Sequence, residues 1–334
     1  MNNTTTIPII NVTNLSKTYI CGGGAFVKQK KFVQAVGGVS FSIYRGETLG
    51  LVGESGSGKS TIARLLMRLV EPSGGEIIFN GEKLSDKSYS ELRNLRTKMQ
   101  LIFQDPQASL NPRKTIYKVL SKPYSVHTNL SRSEIKERVK DLLENVRLTP
   151  AEQYIDRYPY ELSGGQRQRV VIARAISLNP EFVIADEPVS ALDVSIRGQI
   201  LNLLVEIRKK YNLTYLFITH DLSIAHSLCD RLAVMYLGTI VEIGRTEEIF
   251  NEPLHPYTKA LIAATPVPDP IRMKNREKII LEGEMPSAID LPAGCLFINR
   301  CTMKDIGCEE SRPILRELKP NHIVRCHYAE KNFI

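Results

Sequence analysis

The stretch ETLGLVGESGSGKSTIARLLMRL, residues 47–69, joins a short apolar strand to a glycine-rich turn and then to a helical pattern. The turn fits G-x-x-x-x-G-K-[ST], with Gly53, Gly58, Lys59 and Ser60 at the fixed positions. Glycines allow the backbone to wrap a phosphate chain so that successive N–H groups point inward. The helix that begins near Lys59 adds its positive end. We expect the phosphate loop to comprise Gly53, Glu54, Ser55, Gly56, Ser57, Gly58, Lys59, Ser60 and Thr61.

Two side chains of this loop have expected roles. Lys59 would reach the β- and γ-phosphates, and the Ser60 hydroxyl would bind Mg²⁺. A strand before the loop and a helix after it are the context that the motif requires. The sequence therefore predicts an α/β fold that binds a nucleoside triphosphate.

A second strand ends in two acidic residues, as a nucleotide hydrolase requires. In FVIADEP, residues 182–188, the apolar run predicts a buried strand, and Asp186 and Glu187 stand at its carboxyl end. Open α/β sheets place their chemistry at this edge. We expect Asp186 to hold Mg²⁺ through water and Glu187 to polarise the attacking water. A paired acid after a strand can also simply begin a loop, and the upstream phosphate loop favours the catalytic interpretation.

The stretch LSGGQRQRVVIARAI, residues 162–176, predicts a helix whose first turn holds two glycines. From residue 170 onward its apolar residues recur at helical spacing, so Ser163 would begin the helix and form an anion-binding N-terminus. LSGGQ resembles the diagnostic motif of ABC-type ATPase subunits, and it lies between the phosphate loop and the acidic strand, as in that family. The resemblance implies an ATP-hydrolysing enzyme with a P-loop NTPase core of ABC type.

The resemblance assigns further roles. Gln104, in LIFQDPQ, matches the glutamine that senses Mg²⁺ and the attacking water, and His220, in YLFITHD, matches the histidine that contacts the γ-phosphate. Residues 190–193, SALD, match the loop that crosses the dimer interface. Tyr19 is the candidate aromatic for stacking on adenine. The insert ICGGGAFVKQKKFVQ, residues 20–34, departs from the commoner pattern and makes the Tyr19 assignment less direct.

The resemblance also implies a head-to-tail dimer. Each ATP would lie between the phosphate loop of one subunit and the LSGGQ residues of the other, namely Ser163, Gly164, Gly165 and Gln166. The second subunit is either a sister ATPase or a second copy of this chain.

The chain is expected to divide into an ATPase domain, residues 1–250, and a C-terminal extension, residues 251–334. Residues 8–84 predict an antiparallel β subdomain against a parallel core. Residues 105–178 have a helical character and resemble the subdomain that meets the membrane partner. Within them Ser131-x-x-Glu134 predicts a capping box, and Thr149-Pro150-Ala151-Glu152 repeats that start signal.

Composition indicates an ordinary globular protein, with 43% apolar and 24% charged residues among 334. No apolar run approaches the roughly 18 residues of a membrane span. The N-terminal residues lack the basic and apolar regions of a secretory signal, so we expect a cytoplasmic protein. The net charge of +8 is compatible with nucleic-acid binding, but the basic runs are short, such as Lys28–Lys31, and are typical of solvated faces.

Three stretches resemble the ATPases of oligopeptide, dipeptide and nickel importers: FQDPQASLNP (103–112), DEPVSALDVSIRGQI (186–200) and HPYTKAL (255–261). Such systems usually carry two ATPase subunits, and DEPVSALDVS resembles the second of them. The resemblance implies peptide import, with two membrane permease subunits, an extracytoplasmic solute-binding protein as an indirect partner, and a position on the inner face of the cell membrane. Alternatives are a nickel or other small-solute importer, a non-catalytic nucleotide-binding subunit, and an ABC ATPase acting on ribosomes or nucleic acid. We expect no nucleic-acid partner.

Four of the six cysteines lie in the last 40 residues, as C-x5-C-x6-C-x17-C: Cys295, Cys301, Cys308 and Cys326. Structural zinc prefers ligand pairs two to four residues apart, which these spacings do not provide. A [4Fe-4S] cluster accepts looser spacings. Some peptide-importer ATPases resemble this chain in carrying such a tail, so a cluster that staples a small cysteine-rich module is the first hypothesis. Zinc and unligated thiols are the alternatives. Cys21, which we expect in a flexible loop formed by the insert, and Cys229, in an apolar element, are both expected to be structural.

Overall fold

The computed structural model describes residues 7–21, 30–265, 283 and 286–330. Residues 22–29 of the insert after Tyr19 and most of the proline-rich linker, residues 266–282, lie outside the described part. The chain forms two compact units. The first comprises Met1–Asp86 and Phe217–Ile334, and the second comprises Lys87–Leu216. No helix in the described ranges is long and apolar enough to cross a bilayer.

The first unit opens with β1 (Ile10–Cys21), β2 (Lys31–Ile43), β3 (Thr48–Val52), α1 (Lys59–Leu66), β4 (Gly74–Phe79) and β5 (Glu82–Lys83). The second contains α2 (Tyr89–Leu95), β6 (Met99–Ile102), α3 (Pro106–Ser109), α4 (Ile116–His127), α5 (Arg132–Asn145), α6 (Glu152–Ile155), a 3-10 turn (Pro159–Glu161), α7 (Gly164–Ile176), β7 (Phe182–Asp186) and α8 (Val194–Tyr211). β8 (Thr214–Thr219) runs from the second unit into the first. The first unit then continues with α9 (Leu222–Leu228), β9 (Arg231–Tyr236), β10 (Thr239–Arg245), α10 (Thr246–Asn251), α11 (Pro256–Ala264), a 3-10 turn (Ile298–Arg300), α12 (Ile306–Glu310), β11 (Arg316–Lys319) and β12 (His322–Val324).

The predicted antiparallel layer is present in the first unit. Strands pair in the order β2-β1-β4-β5, and β1 is antiparallel to both neighbours. Ile10, Val12 and Leu15 of β1 are at most 2% exposed, so the apolar face of this sheet packs into the core. The insert was expected to place Cys21 in a loop, but Cys21 is the last residue of β1 and pairs with Lys31. That expectation was wrong because the strand pairing continues into the insert.

A second sheet of the same unit positions the phosphate loop. Its strands pair as β11-β12-β10-β9-β3, with β3 parallel to β9 and the other pairs antiparallel. Every residue of β3 is buried, which explains why apolar residues predominate in its sequence, TLGLV. The chain leaves the carboxyl end of β3 directly into the loop, where open α/β sheets bind ligands.

In the second unit, β6 and β7 are parallel, with Ile102 paired to Ala185. Because parallel strands end at the same edge, the segments that follow them are neighbours. Residues 105–178, all of which the structure describes, contain helices and turns and no strand. The division of the chain at residue 250 stays a prediction.

The two helix-start signals of this unit had different outcomes. Ser131 forms the predicted capping box, accepting the Glu134 N–H at 3.3 Å and donating its own N–H to the Glu134 carboxylate at 2.7 Å. The second signal, Thr149-Pro150-Ala151-Glu152, predicted a helix with Pro150 at its first position. This start is wrong, because α6 begins only at Glu152. Ala151, which precedes it, has no side-chain oxygen to cap the helix, and backbone bonds such as Tyr154 N–H to Ala151 O at 3.0 Å hold the turn.

Candidate nucleotide site

Two glycines of the phosphate loop are required by the backbone around them. Gly58, just before α1, has φ of 103°, and a Cβ there would lie 2.2 Å from the Ala35 carbonyl oxygen. Gly53 has φ of 151°, and its Cβ would lie 2.2 Å from the Met235 carbonyl oxygen. The loop is thus packed against neighbouring strands on one side, and any side chain at these positions would displace it.

Lys59 lies inside the arch of the loop. Its side chain is 4% exposed, and Nζ donates to the carbonyl oxygens of Gly53 and Glu54, both at 2.8 Å. The fully buried Ser57 lies beside it, and the Ser57 carbonyl accepts the Gly238 N–H at 2.9 Å. This arrangement fixes the ammonium where α1 begins, so one anionic ligand would meet both the cation and the helix N-terminus.

Glu54 joins the loop to the C-terminal part of the first unit. Its backbone N–H donates to the Tyr257 hydroxyl at 3.0 Å. Its carboxylate accepts from Arg300 Nη1 through both oxygens, at 3.1 and 2.9 Å. Sequence analysis missed both contacts. The HPYTKAL stretch contained Tyr257 but gave no hint of the hydrogen bond, and no sequence signal pointed to Arg300.

In the second unit the structure brings Gln104 and Glu187 together. Gln104 Nε2 donates to Glu187 Oε2 at 2.9 Å, because β6 and β7 end at the same edge. Glu187 has φ of 45°, a left-handed conformation that costs a non-glycine residue about 1–3 kcal/mol. Asp186, at the end of β7, is 8% exposed. The amide therefore orients the carboxylate that we expect to act as base.

The LSGGQ residues form a capped helix N-terminus, as predicted from the sequence. Ser163 Oγ accepts the Gln166 N–H at 3.3 Å, and the Gln166 side chain accepts the Ser163 N–H at 2.9 Å. A Cβ at Gly165 would lie 2.7 Å from Ile196 Cγ2, and at Gly164 3.4 Å from Leu192 Cδ2. A serine hydroxyl that accepts one hydrogen bond can still donate to an anion. The geometry suits an anionic ligand at the start of α7.

Tyr19 and His220 belong to the same compact unit as the phosphate loop. Tyr19 lies on β1, half-buried, with the Lys17 ammonium 5.1 Å from its ring centroid. His220 is exposed immediately after β8, where Asp221 caps α9 through the N–H groups of Ser223 and Ile224. Gln104, Asp186, Glu187 and residues 163–166 belong to the other unit. The assembly of all these residues into one site stays a prediction.

The predicted Mg²⁺ ligands offer only oxygen atoms: the Ser60 hydroxyl, the Gln104 amide and the Asp186 carboxylate. Hard cations such as Mg²⁺ prefer oxygen ligands, so the donor set fits this ion. Ser60 and Asp186 belong to different units, and their shared role as ligands stays a prediction.

The four tail cysteines line one pocket with Phe297, His255 and Tyr328. The Cys295 N–H donates to the Cys308 carbonyl at 2.8 Å, which holds the first and third cysteine segments side by side. Burial raises the pKa of the Cys295 and Cys301 thiols, and it raises that of Cys326 to about 11. The neighbouring thiols add to each shift. The structure therefore brings the four thiols close together, which their spacing in the sequence alone did not determine.

The pocket does not have the form of a mononuclear metal site. Within the part of the chain that the structure describes, no three His, Cys, Asp or Glu side chains are placed to hold one metal ion. The cavity enclosed by the pocket has a volume of about 10 Å³, only about enough for one water molecule. Cys21, exposed, and Cys229, buried, lie outside this pocket.

Comparison with known families gives two matches along the chain. Residues 36–190 match the ABC transporter family, and residues 241–308 match the oligopeptide/dipeptide transporter C-terminal region. The phosphate loop, LSGGQ and Glu187 fall in the first match, and Tyr257, Arg300 and three of the tail cysteines fall in the second.

Curated relatives match over nearly their full length. The chain is 47% identical over 320 residues to the oligopeptide transport ATP-binding protein AppF of Bacillus subtilis (strain 168), covering 96% of this chain and 97% of AppF. It is 45% identical over 323 residues to the dipeptide transport ATP-binding protein DppF of Haemophilus influenzae, covering 97% of each chain.

Solved structures support the fold. A dimeric post-hydrolysis structure of the ATP-binding cassette MJ0796, bound to ADP and Pi, is 30% identical with a TM-score of 0.63, and covers 71% of this chain and 98% of that one. CbiO1 from Clostridium perfringens, part of the cbiONQ complex, is 31% identical with a TM-score of 0.62, and covers 73% and 91%. The predicted α/β fold with mixed sheets is confirmed.

Proposed function

We propose a mode of action for this chain from one premise: it belongs to the ABC transporter ATP-binding proteins that carry the oligopeptide/dipeptide transporter C-terminal region. The chain hydrolyses ATP to power the import of di- and oligopeptides. The observation that carries this proposal is the presence, in one compact unit, of the phosphate loop and the matched C-terminal region, residues 241–308. The relatives AppF and DppF, named for oligopeptide and dipeptide transport, favour peptides over nickel or nucleic acid.

In the proposed reaction, the loop binds the β- and γ-phosphates of ATP through its N–H groups and Lys59, and Tyr19 stacks on the adenine. Ser60, Gln104 and Asp186 would hold Mg²⁺, which would supply positive charge that offsets the phosphates. Glu187 accepts a proton from the attacking water, and Gln104 keeps the carboxylate oriented for that step. His220 contacts the γ-phosphate.

The working form is a dimer, with Ser163, Gly164, Gly165 and Gln166 of one subunit contacting the ATP bound to the other. Two observations support this dimer: the N-terminus of α7 is capped, and MJ0796, which is similar to this chain, has a dimeric structure. ATP would close the two subunits and hydrolysis would reopen them. The second subunit is a sister ATPase or a second copy of this chain.

The partners are two permease subunits in the membrane, which this chain would meet at the inner face, and an extracytoplasmic binding protein would supply them with peptide. A groove of about 440 Å³ in the second unit offers a docking surface, and its lining includes Lys114, Lys118, Lys122, His127 and Arg174. Its positive charge favours an acidic permease segment. Reversing charge at Lys118 and Lys122 is expected to weaken co-purification with the permeases and to leave ATP affinity unchanged.

The function is tested by reconstituting the chain with its permeases, its sister subunit and the binding protein in vesicles. We expect ATP-dependent uptake of a labelled tetrapeptide and no uptake of Ni²⁺. Lys59→Ala should abolish uptake, because the β- and γ-phosphates lose their cation. Uptake of Ni²⁺ in place of peptide would instead support the nickel alternative, and RNA-stimulated turnover would support the nucleic-acid alternative.

The tail pocket is proposed to hold a [4Fe-4S] cluster bound by Cys295, Cys301, Cys308 and Cys326. Four thiols around one pocket support a thiolate-bound group. Zinc is the alternative, but structural zinc prefers ligand pairs two to four residues apart, which these spacings do not provide. The cluster would staple the C-terminal module, residues 251–334, which is too small to have a core of its own. Protein purified without oxygen should be brown with about four irons per chain, and one zinc with no iron would reject the cluster.

A further inference from the structure

We infer that Arg300 and Tyr257, both from the C-terminal extension, are positioning residues of the ATP site, because they hold Glu54 of the phosphate loop at two points. Tyr257 accepts the Glu54 N–H at 3.0 Å, and Arg300 donates to both carboxylate oxygens at 3.1 and 2.9 Å. This inference rests on the proposed function. It adds that the extension, beyond its role in transport, sets the affinity of the loop for nucleotide.

Glu54 in turn positions the lysine of the loop. Its carbonyl oxygen accepts from Lys59 Nζ at 2.8 Å and from the Ser57 N–H at 3.3 Å. One residue, Glu54, therefore connects the extension to the ammonium that is expected to meet the β- and γ-phosphates. A shift of Glu54 would move that acceptor and change where the ammonium lies.

The environment of Arg300 indicates a positioning role. Its side chain is 7% exposed and Glu54 is 28% exposed, so the pair is partly withdrawn from water. A withdrawn ion pair often adds little net stability, but Arg300 Nη1 donates to both oxygens of the carboxylate, which restricts the direction of that group. The Arg300 guanidinium also lies 6.0 Å from the Tyr236 ring centroid, which limits its own movement.

The extension supports both positioning residues through an aromatic cluster, defined as Tyr236, His255, Tyr257 and Phe297. The Tyr236 and Tyr257 rings are 4.7 Å apart, and Phe297 lies 5.2 Å from Tyr236 and 5.5 Å from Tyr257. Phe297 immediately precedes the 3-10 turn that ends at Arg300, and the Arg300 N–H donates to the Phe297 carbonyl at 3.0 Å. The cluster therefore sets the distance between the two residues that hold Glu54.

Charge gives Arg300 a second effect on nucleotide. Glu54 places a carboxylate in the loop that is expected to bind phosphates, and Arg300 neutralises it. Without Arg300, the carboxylate would repel the phosphates as well as lose its orientation. Removing the carboxylate should therefore restore part of the affinity that is lost with Arg300.

The first experiment measures the Kd of MgATP for wild type, Arg300→Ala and Arg300→Lys in the full chain, together with the melting temperature of each. Arg300→Ala is expected to weaken MgATP binding about tenfold, within the usual range for coupling between two parts of a protein. Arg300→Lys keeps the charge but loses the guanidinium that bonds both Glu54 carboxylate oxygens. Its Kd should lie between those of wild type and Arg300→Ala. Arg312→Ala is the matched control, since Arg312 is an exposed tail arginine that bonds Pro292 O at 3.1 Å.

Two further variants separate geometry from charge. Adding Glu54→Gln to Arg300→Ala should bring the Kd back toward the wild-type value, because the repulsion is gone. Tyr257→Phe removes only the oxygen that accepts the Glu54 N–H and should weaken MgATP binding a fewfold. Tyr215→Phe, at a buried tyrosine that contacts Leu204 O in the second unit, should leave the Kd unchanged.

The outcomes are distinct. If Arg300→Ala and Tyr257→Phe both bind MgATP within twofold of wild type, the inference is wrong, even if their melting temperatures fall. If Arg300→Ala does not fold, the inference is tested with Tyr257→Phe and Glu54→Gln instead. It is rejected if both variants bind MgATP with the wild-type Kd. Loss of affinity with Lys59→Ala in these preparations shows that the proposed function stands independently. Wild-type protein whose MgATP binding does not depend on Lys59 would contradict the proposed function itself.

Discussion

The phosphate loop and the tail pocket belong to the same compact unit, yet they are built in opposite ways. The loop is one run of nine residues, 53–61, whose shape follows from glycines and from bonds between near neighbours such as Lys59 and Gly53. The tail pocket joins residues spread from Cys295 to Tyr328 with His255 and Pro256 at the start of α11. A contiguous site is thus sensitive to single backbone positions, whereas a dispersed site depends on how several segments pack.

The largest expected effect concerns the chemistry that the loop serves. Glu187→Gln should keep MgATP affinity and lower turnover by about 10²- to 10⁴-fold, because the amide cannot accept a proton from water. Phosphate release at saturating ATP measures it, with the Kd measured on the same protein. A variant that retains most of its turnover would remove Glu187 from the role of base.

The next effect tests how much the loop depends on one glycine. Gly58→Ala should weaken MgATP binding on the order of 100-fold, because left-handed strain of about 1–3 kcal/mol adds to a clash with Ala35 O. Nucleotide titration measures it.

The matched control for this prediction is Gly81→Ala. Gly81 also has a positive φ, 80°, but a Cβ there would meet nothing within 4 Å. This variant should lose some stability and keep its nucleotide affinity. Equal losses of MgATP affinity in Gly58→Ala and Gly81→Ala would show that the close packing around Gly58 does not determine the affinity of the loop.

A glycine in the tail gives the parallel test on the dispersed site. Gly294→Ala would place a Cβ 2.1 Å from the Cys308 carbonyl oxygen and should lower the free energy of unfolding by about 2 kcal/mol. The tail thiols should also react faster with a maleimide, measured in a Cys21→Ser background because Cys21 is exposed. Gly307→Ala, whose Cβ would meet only the Tyr328 hydroxyl at 3.1 Å, should be milder. Unchanged thiol reactivity in Gly294→Ala would mean that this contact does not hold the pocket together.

The smallest expected effect concerns the adenine platform. Tyr19→Ala should weaken MgATP binding about fivefold, roughly 1 kcal/mol, and change discrimination against GTP little, because stacking on a ring tolerates either base. Parallel titrations with ATP and GTP measure it. An unchanged ATP affinity would place the adenine elsewhere.

Much of the fold was predictable because its signals are local. The β3 strand, the start of α1 near Lys59, the start of α7 at Ser163 and the capping box at Ser131 depend on residues within a few positions of each other. The start of α6 was misplaced for the same reason, since Thr149 carries a local signal that the backbone does not use. The end of β1 was missed because pairing with β2 extends into the insert.

The sequence by itself determined the residues that form the loop and are expected to surround phosphate, and their order along the chain, because glycines, a lysine and a helix start act through bonds between near neighbours. Only the tertiary structure decided that Gln104 meets Glu187, that four spaced thiols share a pocket, and that Arg300 holds Glu54. Arg300 and Glu54 are 246 positions apart, and no local preference links them. Such pairs form when strand pairing and apolar burial bring segments together, and those forces depend on the packed chain as a whole.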